Sequence, residues 1–391
     1  MFKITEELLL KAWLEIYRSK PKAKRKYSRG IDEVSIEDFK KHDRENLGEI
    51  YRQLEGGFFE FRQLKEYKIP RPGKSPRLIQ APTVTDRIVQ KVISNHLMDV
   101  FQKIFTTAGI VGSVRGTTVE GVLRGAVGYY DQGYHYVLKT DIENYFPSIN
   151  KKRLKKIFYR EIHDEKLRTY FDQFLKQSKQ PGIPQGTPLS PFFANLFLLN
   201  FDKALKKEKN IKHFRYIDDL VVFCDNRDRA EAIFNKVEPM FRDLGLTIHP
   251  LSTPGKTFID LFDTGRVDVL GVIYKNKKLL IKQKKYREFI AETITPIQFK
   301  SCLNSRLSTE QGLNDLLKDL RYRVYGWAGA YSFCDVKETF EDLDAKLYEQ
   351  FNKLLNRLAL TPTEKSYYLS HLPKFTRALK KRSLKKSQLL S

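Results

Sequence analysis

Apolar side chains recur at three- and four-residue spacing from Leu8 and Leu9 through Ala12, Trp13, Ile16 and Tyr17, which predicts a helix over 5–18 with one buried face. The rhythm changes at 66–82, EYKIPRPGKSPRLIQAP, where two extended stretches flank PGKS and predict a β-hairpin with that tetrapeptide at its tip. From 83 to 131 the pattern is mostly helical again. Extended apolar runs return in HYVLKT and on both sides of the acidic pair in FRYIDDLVVF, with helices predicted at 151–178 and 188–207 between them. Within the second of these, Ser190 stands between Pro188 and Pro191 and is expected to cap the helix. Beyond 281 the chain turns helical through EQGLNDLLKDLRYRVYGWAGAY and VKETFEDLDAKLYEQFNKLLNRL. This order, helical and hairpin, then mixed, then helical, predicts an α+β class with segregated layers.

Charge narrows the function. Lys and Arg number 71 against 47 Asp and Glu, so the 391-residue chain carries a formal net charge of +24 and calls for a polyanionic partner. Hydrophobic residues make up 41% and aromatics 13%, enough to build two or three cores, so this is not a disordered basic tail. Clustered cations in SKPKAKRKYSRG (19–30) and RALKKRSLKK (377–386) suit a phosphate backbone. Cys224, Cys302 and Cys334 are scattered, without a CxxC pair, which indicates neither a disulfide framework nor a zinc site and fits a cytoplasmic protein. No apolar run approaches the roughly 20 residues of a membrane span, and the acidic, amphipathic N-terminus is wrong for a signal peptide.

Against this basic background, acidic residues stand out where strand patterns stop: Asp141 in VLKTDIENYF, and Asp218 and Asp219 in YIDD. Carboxylates held together at strand ends, with the Ile142 carbonyl as a neutral oxygen, make a donor set for hard Mg²⁺ ions. Two such ions can activate an attacking hydroxyl and stabilise the leaving oxygens of an in-line displacement. A two-residue hairpin turn normally uses Asn-Gly or Asp-Gly, so an Ile-Asp turn is strained, and persistent strain points to function.

The motifs, taken in order, resemble those of reverse transcriptases. TDIENYF resembles the first catalytic segment of the palm, YIDD the tyrosine-x-aspartate-aspartate hairpin, and GIPQGTPLSPFFANLFL (182–198) the template- and nucleotide-contacting segment of group II intron-type enzymes. LGLTIHPLSTPGKT and VDVLGVIY resemble the segments that follow, the latter the primer-grip hairpin. RGIDEVSIEDF (29–39) and IPRPGKSPRLIQAPTVTDRIVQ (69–90) resemble group II-type fingers, and VGSVRGTTVEGV (111–122) matches more loosely. The resemblance implies Asp141, Asp218 and Asp219 as catalytic metal ligands with Ile142, and Lys256 as the acid for departing pyrophosphate. It implies a nucleotide site of Arg71, Lys74 and Arg77 gripping the triphosphate, Phe146 as a gate against the ribose 2′-hydroxyl, and Gln185 with Gly186 at the nascent pair. Arg115, Tyr216, Gly271, Arg321, Arg323 and Tyr331 are the implied contacts to nucleic acid.

The implied fold is a right-hand polymerase: fingers 1–130, palm 131–280, thumb 281–360 and a basic tail 361–391. The implied cofactor is a pair of Mg²⁺ ions, with Mn²⁺ as a substitute, and the implied partners are an RNA template, a DNA or RNA primer and dNTPs. The stretch after the thumb leaves no room for an RNase H, integrase or endonuclease domain, and the retron valine-threonine-glycine element is not evident. The expectation is therefore a stand-alone bacterial enzyme of group II-like ancestry, working on a dedicated non-coding RNA in antiphage defence. An RNA-dependent RNA polymerase and a maturase-like RNA-binding scaffold are the rival readings. Phe146 and the PQG segment oppose the first, and the intact aspartates oppose the second.

Overall fold

The computed structural model describes residues 2–71, 74–251, 253, 255–299 and 309–379. They form two compact units, Met1–Ile259 and Asp260–Ser391. Among the described residues no helix is long and apolar enough to cross a membrane.

The first unit begins with a helix, Glu6–Ser19, whose Thr5 hydroxyl accepts the Leu8 N–H at 3.3 Å and whose Leu9, Ala12 and Trp13 are buried. Strands β1 (Lys65–Arg71) and β2 (Lys74–Ala81) pair antiparallel from Lys65 opposite Ala81 outward, forming the hairpin that the alternation predicts. The 83–131 region is two helices, Val84–Thr107 and Val119–Asp131. The first runs through the core and is capped by Thr83, whose hydroxyl accepts the Asp86 N–H at 3.0 Å.

The central sheet contains β3 (Tyr136–Asp141), β4 (Ile211–Tyr216), β5 (Asp219–Cys224) and β6 (Phe258–Leu261), in the order β4-β5-β3-β6. β5 pairs antiparallel with both β4 and β3, so Asp219 lies opposite Tyr216 on one side and Asp141 on the other. Helix Arg227–Asp243 packs on β3 and β5. Helix Ser190–Leu205 is buried on nearly every side, which explains its largely apolar sequence and small amphipathicity. Phe158 and Phe171 stack at 4.3 Å, and Phe193 closes on them at 5.5 and 4.9 Å. Removing one such ring costs about 3–5 kcal/mol.

Two sequence expectations need correction. The single helix expected over 151–178 is two, Lys151–Glu161 and Glu165–Lys176. Asp164 makes the break: its carboxylate accepts the Leu167 N–H at 3.0 Å, capping the second helix, and the Phe2 N–H at 2.6 Å. Ser190 is the first residue of its helix and does not cap it; the Thr187 hydroxyl takes that role by accepting the Ser190 N–H at 3.3 Å.

In the second unit β7 (Thr264–Val269), β8 (Val272–Lys275) and β9 (Lys278–Ile281) form a meander. Both two-residue turns take positive φ throughout, Leu270 and Gly271 at 54° and 85°, Asn276 and Lys277 at 50° and 59°, the conformation that matches the twist of paired strands. Helices Glu310–Tyr331, Lys337–Leu355 and Pro362–Ser370 follow. Phe289, Trp327, Phe340 and Phe375 form an aromatic centre with ring separations of 4.8–6.2 Å. Residues 380–386 of the basic run lie outside the described residues.

Candidate active site

Strand pairing brings the distant acidic clusters together. β3 ends on Asp141, and the β4–β5 turn, Ile217–Asp218, sits beside that end. The Ile142 N–H donates to the Asp218 carbonyl at 3.3 Å, and the Glu143 N–H to the Thr247 carbonyl at 2.8 Å, so the strand continues across both neighbours. Ile217 has φ = 59°. That left-handed geometry costs a β-branched residue of this kind roughly 1–2 kcal/mol, the strain expected of an Ile-Asp turn.

Asp141 and Asp218 open into a cleft of about 560 Å³. The hairpin supplies Arg71 and Arg77 to its wall, the segment after β3 supplies Ile142 and Phe146, and Gln185 and Lys256 complete the sequence-predicted residues there. The Lys256 ammonium is ion-paired with Asp141 Oδ2. Its neighbour Thr257 shares a buried 3.0 Å hydroxyl hydrogen bond with Thr140 of β3, which fixes this segment against the strand. Arg71 Nε donates to the Ser75 carbonyl at 3.0 Å, tying one guanidinium to the hairpin, while Arg77 is exposed.

The turn bearing Phe146 is pinned on two sides. The Tyr145 hydroxyl donates to the Ala194 carbonyl at 2.5 Å, and the Ile183 N–H donates to the Phe146 carbonyl at 3.0 Å. Gly182, at φ = 71°, permits this approach: a Cβ there would lie 2.2 Å from the Phe146 carbonyl oxygen. Gln185 is held through its backbone, its carbonyl accepting the Gln80 N–H of β2 at 2.8 Å. Gly186 does not line the cleft; at φ = 118° it lets the loop pass Ile79 and Gln80, where a Cβ would meet Ile79 Cγ2 at 2.8 Å.

Other expected residues fall elsewhere. Asp219 does not line the cleft, and its carboxylate lies 3.7 Å from the Lys139 ammonium. The side chain of Lys74 lies outside the described residues. Tyr216 is half-buried at the end of β4, while Arg115 is ion-paired with Asp99 away from the cleft lining. In the second unit, Gly271 and Tyr331 are neighbours, since a Cβ on Gly271 would lie 3.4 Å from the Tyr331 hydroxyl. Arg321 donates to the His371 carbonyl at 3.2 Å, and Arg323 pairs with Asp319 at 2.9 Å along its own helix.

His249 is the residue that pattern reading missed. It lines the cleft, with Nδ1 3.1 Å from Glu143 Oε1 and Nε2 3.9 Å from Asp141 Oδ2. It is the sole ionisable side chain in LGLTIHP, directly after the Ile248 bridge to Ile142. The available signal was its place in LGLTIHPLSTPGKT, the segment that also carries Lys256.

The electrostatics favour a cation. Burial pushes the Asp218 carboxyl above its ordinary range, and the Asp219 carboxylate beside it adds to the rise, while Arg77 and Arg215 oppose it. Among the described residues no three His, Cys, Asp or Glu side chains are grouped to hold a metal ion. The donor set is instead two carboxylates, Asp141 and Asp218, with Ile142 beside them. That set fits Mg²⁺, which is usually bound through one or two carboxylates plus substrate phosphates. The Lys256 ammonium on Asp141 shows that a positive charge is accommodated there.

Residues 69–274 match the family described as reverse transcriptase (RNA-dependent DNA polymerase). The chain is 28% identical over 191 residues to the retron Ec83 reverse transcriptase of Escherichia coli, covering 44% of this chain and 57% of that protein. It is 24% identical over 177 residues to the group II intron-encoded protein LtrA of Lactococcus lactis, covering 42% and 29% respectively. The match thus spans less than two thirds of either relative. Among solved structures, apo telomerase from Candida tropicalis aligns with 86% of this chain and 67% of its own at 12% identity and a TM-score of 0.46. The family match runs from within β1 to within β8 and takes in both aspartate-bearing segments, and the chain belongs to the reverse transcriptase family.

Proposed function

We propose that this chain is an RNA-directed DNA polymerase that adds dNTPs to a primer 3′-hydroxyl by two-metal-ion nucleotidyl transfer. One observation carries the reading: Asp141 and Asp218, on neighbouring strand ends, share one cleft with two arginines, an aromatic ring and a lysine, inside the segment that matches the family. Asp141, Asp218 and the Ile142 carbonyl would hold the ions, with Asp219 beside them. Mg²⁺, or Mn²⁺ in its place, supplies Lewis acidity toward the primer hydroxyl and the pyrophosphate when bound.

The protein's own groups do the rest. Arg71 and Arg77 grip the triphosphate, because a guanidinium matches phosphate oxygens in pairs. Phe146 lies under the sugar and excludes a 2′-hydroxyl, so dNTPs are favoured over rNTPs. Gln185 presents its side-chain amide to the nascent pair while Gly186 lets the loop pass β2, and Lys256 Nζ delivers a proton to the departing pyrophosphate. Tyr216 and Arg115 in the first unit, and Gly271, Arg321, Arg323 and Tyr331 in the second, contact the template–primer duplex, whose shape and backbone are read rather than its sequence. We assign fingers to 1–130, palm to 131–280, thumb to 281–360 and a basic tail to 361–391, with RNA binding assigned to its 377–386 run. A bacterial cytoplasm, a dedicated non-coding RNA template and a role in antiphage defence are the proposed setting, supported by the likeness to bacterial reverse transcriptases.

The test is primer extension with purified protein, Mg²⁺ and labelled dNTPs or rNTPs, on a primed heteropolymer and on co-purifying RNA. RNA-templated dNTP incorporation that Asp218→Asn abolishes is the expected result. Incorporation of rNTPs alone would mean an RNA polymerase. RNA binding without incorporation on either template would mean a scaffold.

A further inference from the structure

A fully buried arginine is costly unless every donor is used, and Arg215 of β4 is fully buried. Its five N–H groups are all taken. Nε donates to Asp202 Oδ1 at 2.9 Å and Nη2 to Asp202 Oδ2 at 2.7 Å. Nη2 also reaches the Asn195 carbonyl at 3.4 Å, and Nη1 reaches Asn195 Oδ1 at 3.3 Å. The remaining donor, on Nη1, goes to the carbonyl of Ile217 at 2.6 Å, the shortest of these bonds. Asp202 and Asn195 project from the helix Ser190–Leu205 and are likewise fully buried.

Ile217 is the left-handed residue of the acidic turn, and its carbonyl belongs to the peptide unit that carries Asp218. The opposite side of the turn is closed as well. Asn195 Nδ2 donates to the Gly112 carbonyl at 2.8 Å, and a Cβ on Gly112 would lie 2.6 Å from the Ile217 nitrogen. The Val111 and Gly112 N–H groups donate to the Arg215 carbonyl at 2.9 and 3.3 Å, completing a frame around the turn.

A strained residue persists only where its surroundings over-determine it. A buried ion pair, by contrast, often adds little to stability over an apolar substitute of similar volume. The cluster therefore calls for a role other than holding the fold. We propose that Asp202, Arg215 and Asn195 form a positioning device for Asp218, acting through the charge-assisted hydrogen bond from Arg215 to the Ile217 carbonyl. This rests on the reading of Asp218 as a catalytic ligand and extends it to three residues that never meet substrate. The helix Ser190–Leu205 thereby sets the depth at which the carboxylate stands in the cleft.

The test uses Asp202→Leu/Arg215→Met in the full chain, which removes both charges together and leaves neither partner orphaned. Hydrogen exchange reads the positioning without reference to activity. The Ile142 N–H, bonded to the Asp218 carbonyl, is expected to exchange roughly tenfold faster or more in the variant, while core amides keep their protection. Turnover reads the consequence: kcat for dNTP addition falls about tenfold to a hundredfold, with KM and RNA affinity within about threefold. In an Ile217→Asn background, where the left-handed turn is less strained, the same double change costs distinctly less. Unaltered exchange at Ile142, wild-type kcat in a folded variant, or an equal loss in both backgrounds would each overturn the proposal. Should wild-type protein fail to incorporate dNTPs, the functional reading fails, and hydrogen exchange alone decides the positioning claim. Should the variant fail to fold, Arg215→Lys is measured the same way, and exchange and kcat both matching wild type would overturn it.

Discussion

Phe146 turns a question about sugar chemistry into one about a single ring. The ring is half-exposed at the cleft while the backbone on both sides of it is pinned, so truncation empties space without moving the turn. Phe146→Ala is expected to raise rNTP use relative to dNTP by roughly tenfold or more, with DNA synthesis retained, measured by competitive single-nucleotide incorporation. Asp86 poses a different residue-scale problem. It is 1% exposed, and burial pushes its carboxyl from an ordinary 3.8 up to about 7, against the Arg62 N–H that favours the anion. Its Oδ1 has no hydrogen-bond partner, and neither does Oε1 of Gln90, one turn along the same helix. Because the folded state keeps the proton longer than the unfolded chain, stability from this group is full below about pH 4 and falls as pH rises toward 7. Asp86→Asn is expected to remove that fall, worth on the order of 4 kcal/mol at most, so wild type and variant diverge in denaturation midpoint between about pH 4 and 7. Parallel midpoints across that range would show that the proton is not held. None of this was legible in sequence, where TVTDRIVQ reads only as a helix start. The local signal predicts a cap, and the burial comes from chain 24 and 91 positions away, at Arg62 and Gln177.

At the scale of elements, close backbone approaches matter more than side-chain chemistry. The loop carrying Gly182 and Gln185 is stitched to the Phe146 turn on one side and to β2 on the other. Gly182→Ala adds a methyl group where only 2.2 Å is free and at φ = 71°. It is expected to lower kcat by roughly tenfold or more while thermal stability drops by a few degrees, followed by extension assays and calorimetry on one preparation. An unchanged kcat would mean that the loop does not set the ring. The paired strands β1 and β2, the two acidic strand ends and the buried Ser190–Leu205 helix were readable because period-two and period-3.6 patterns are local; Lys74 and Ser75, expected at the hairpin tip, belong to β2 instead. The break at Asp164 and the cap at Thr187 were not, since Asp164 is claimed by Phe2, 162 positions away, and the Thr187 hydroxyl sits in a loop whose shape depends on β2. His249 entered the cleft through the same kind of non-local pairing, the Ile142–Ile248 bridge.

For the whole molecule, two kinds of charge divide the work. The net +24 is spread along the chain and favours a polyanionic partner, whereas the cleft brings together Asp141 and Asp218 from positions 77 apart. Binding and chemistry should therefore separate on substitution. The most direct test measures RNA affinity and single-nucleotide dNTP incorporation together, at fixed salt, for wild type, Asp141→Asn and Asp218→Asn. Both variants are expected to lose incorporation by about a thousandfold or more while RNA affinity stays within about threefold of wild type. Incorporation that survives either substitution would contradict the assignment of this cleft as the site of nucleotidyl transfer.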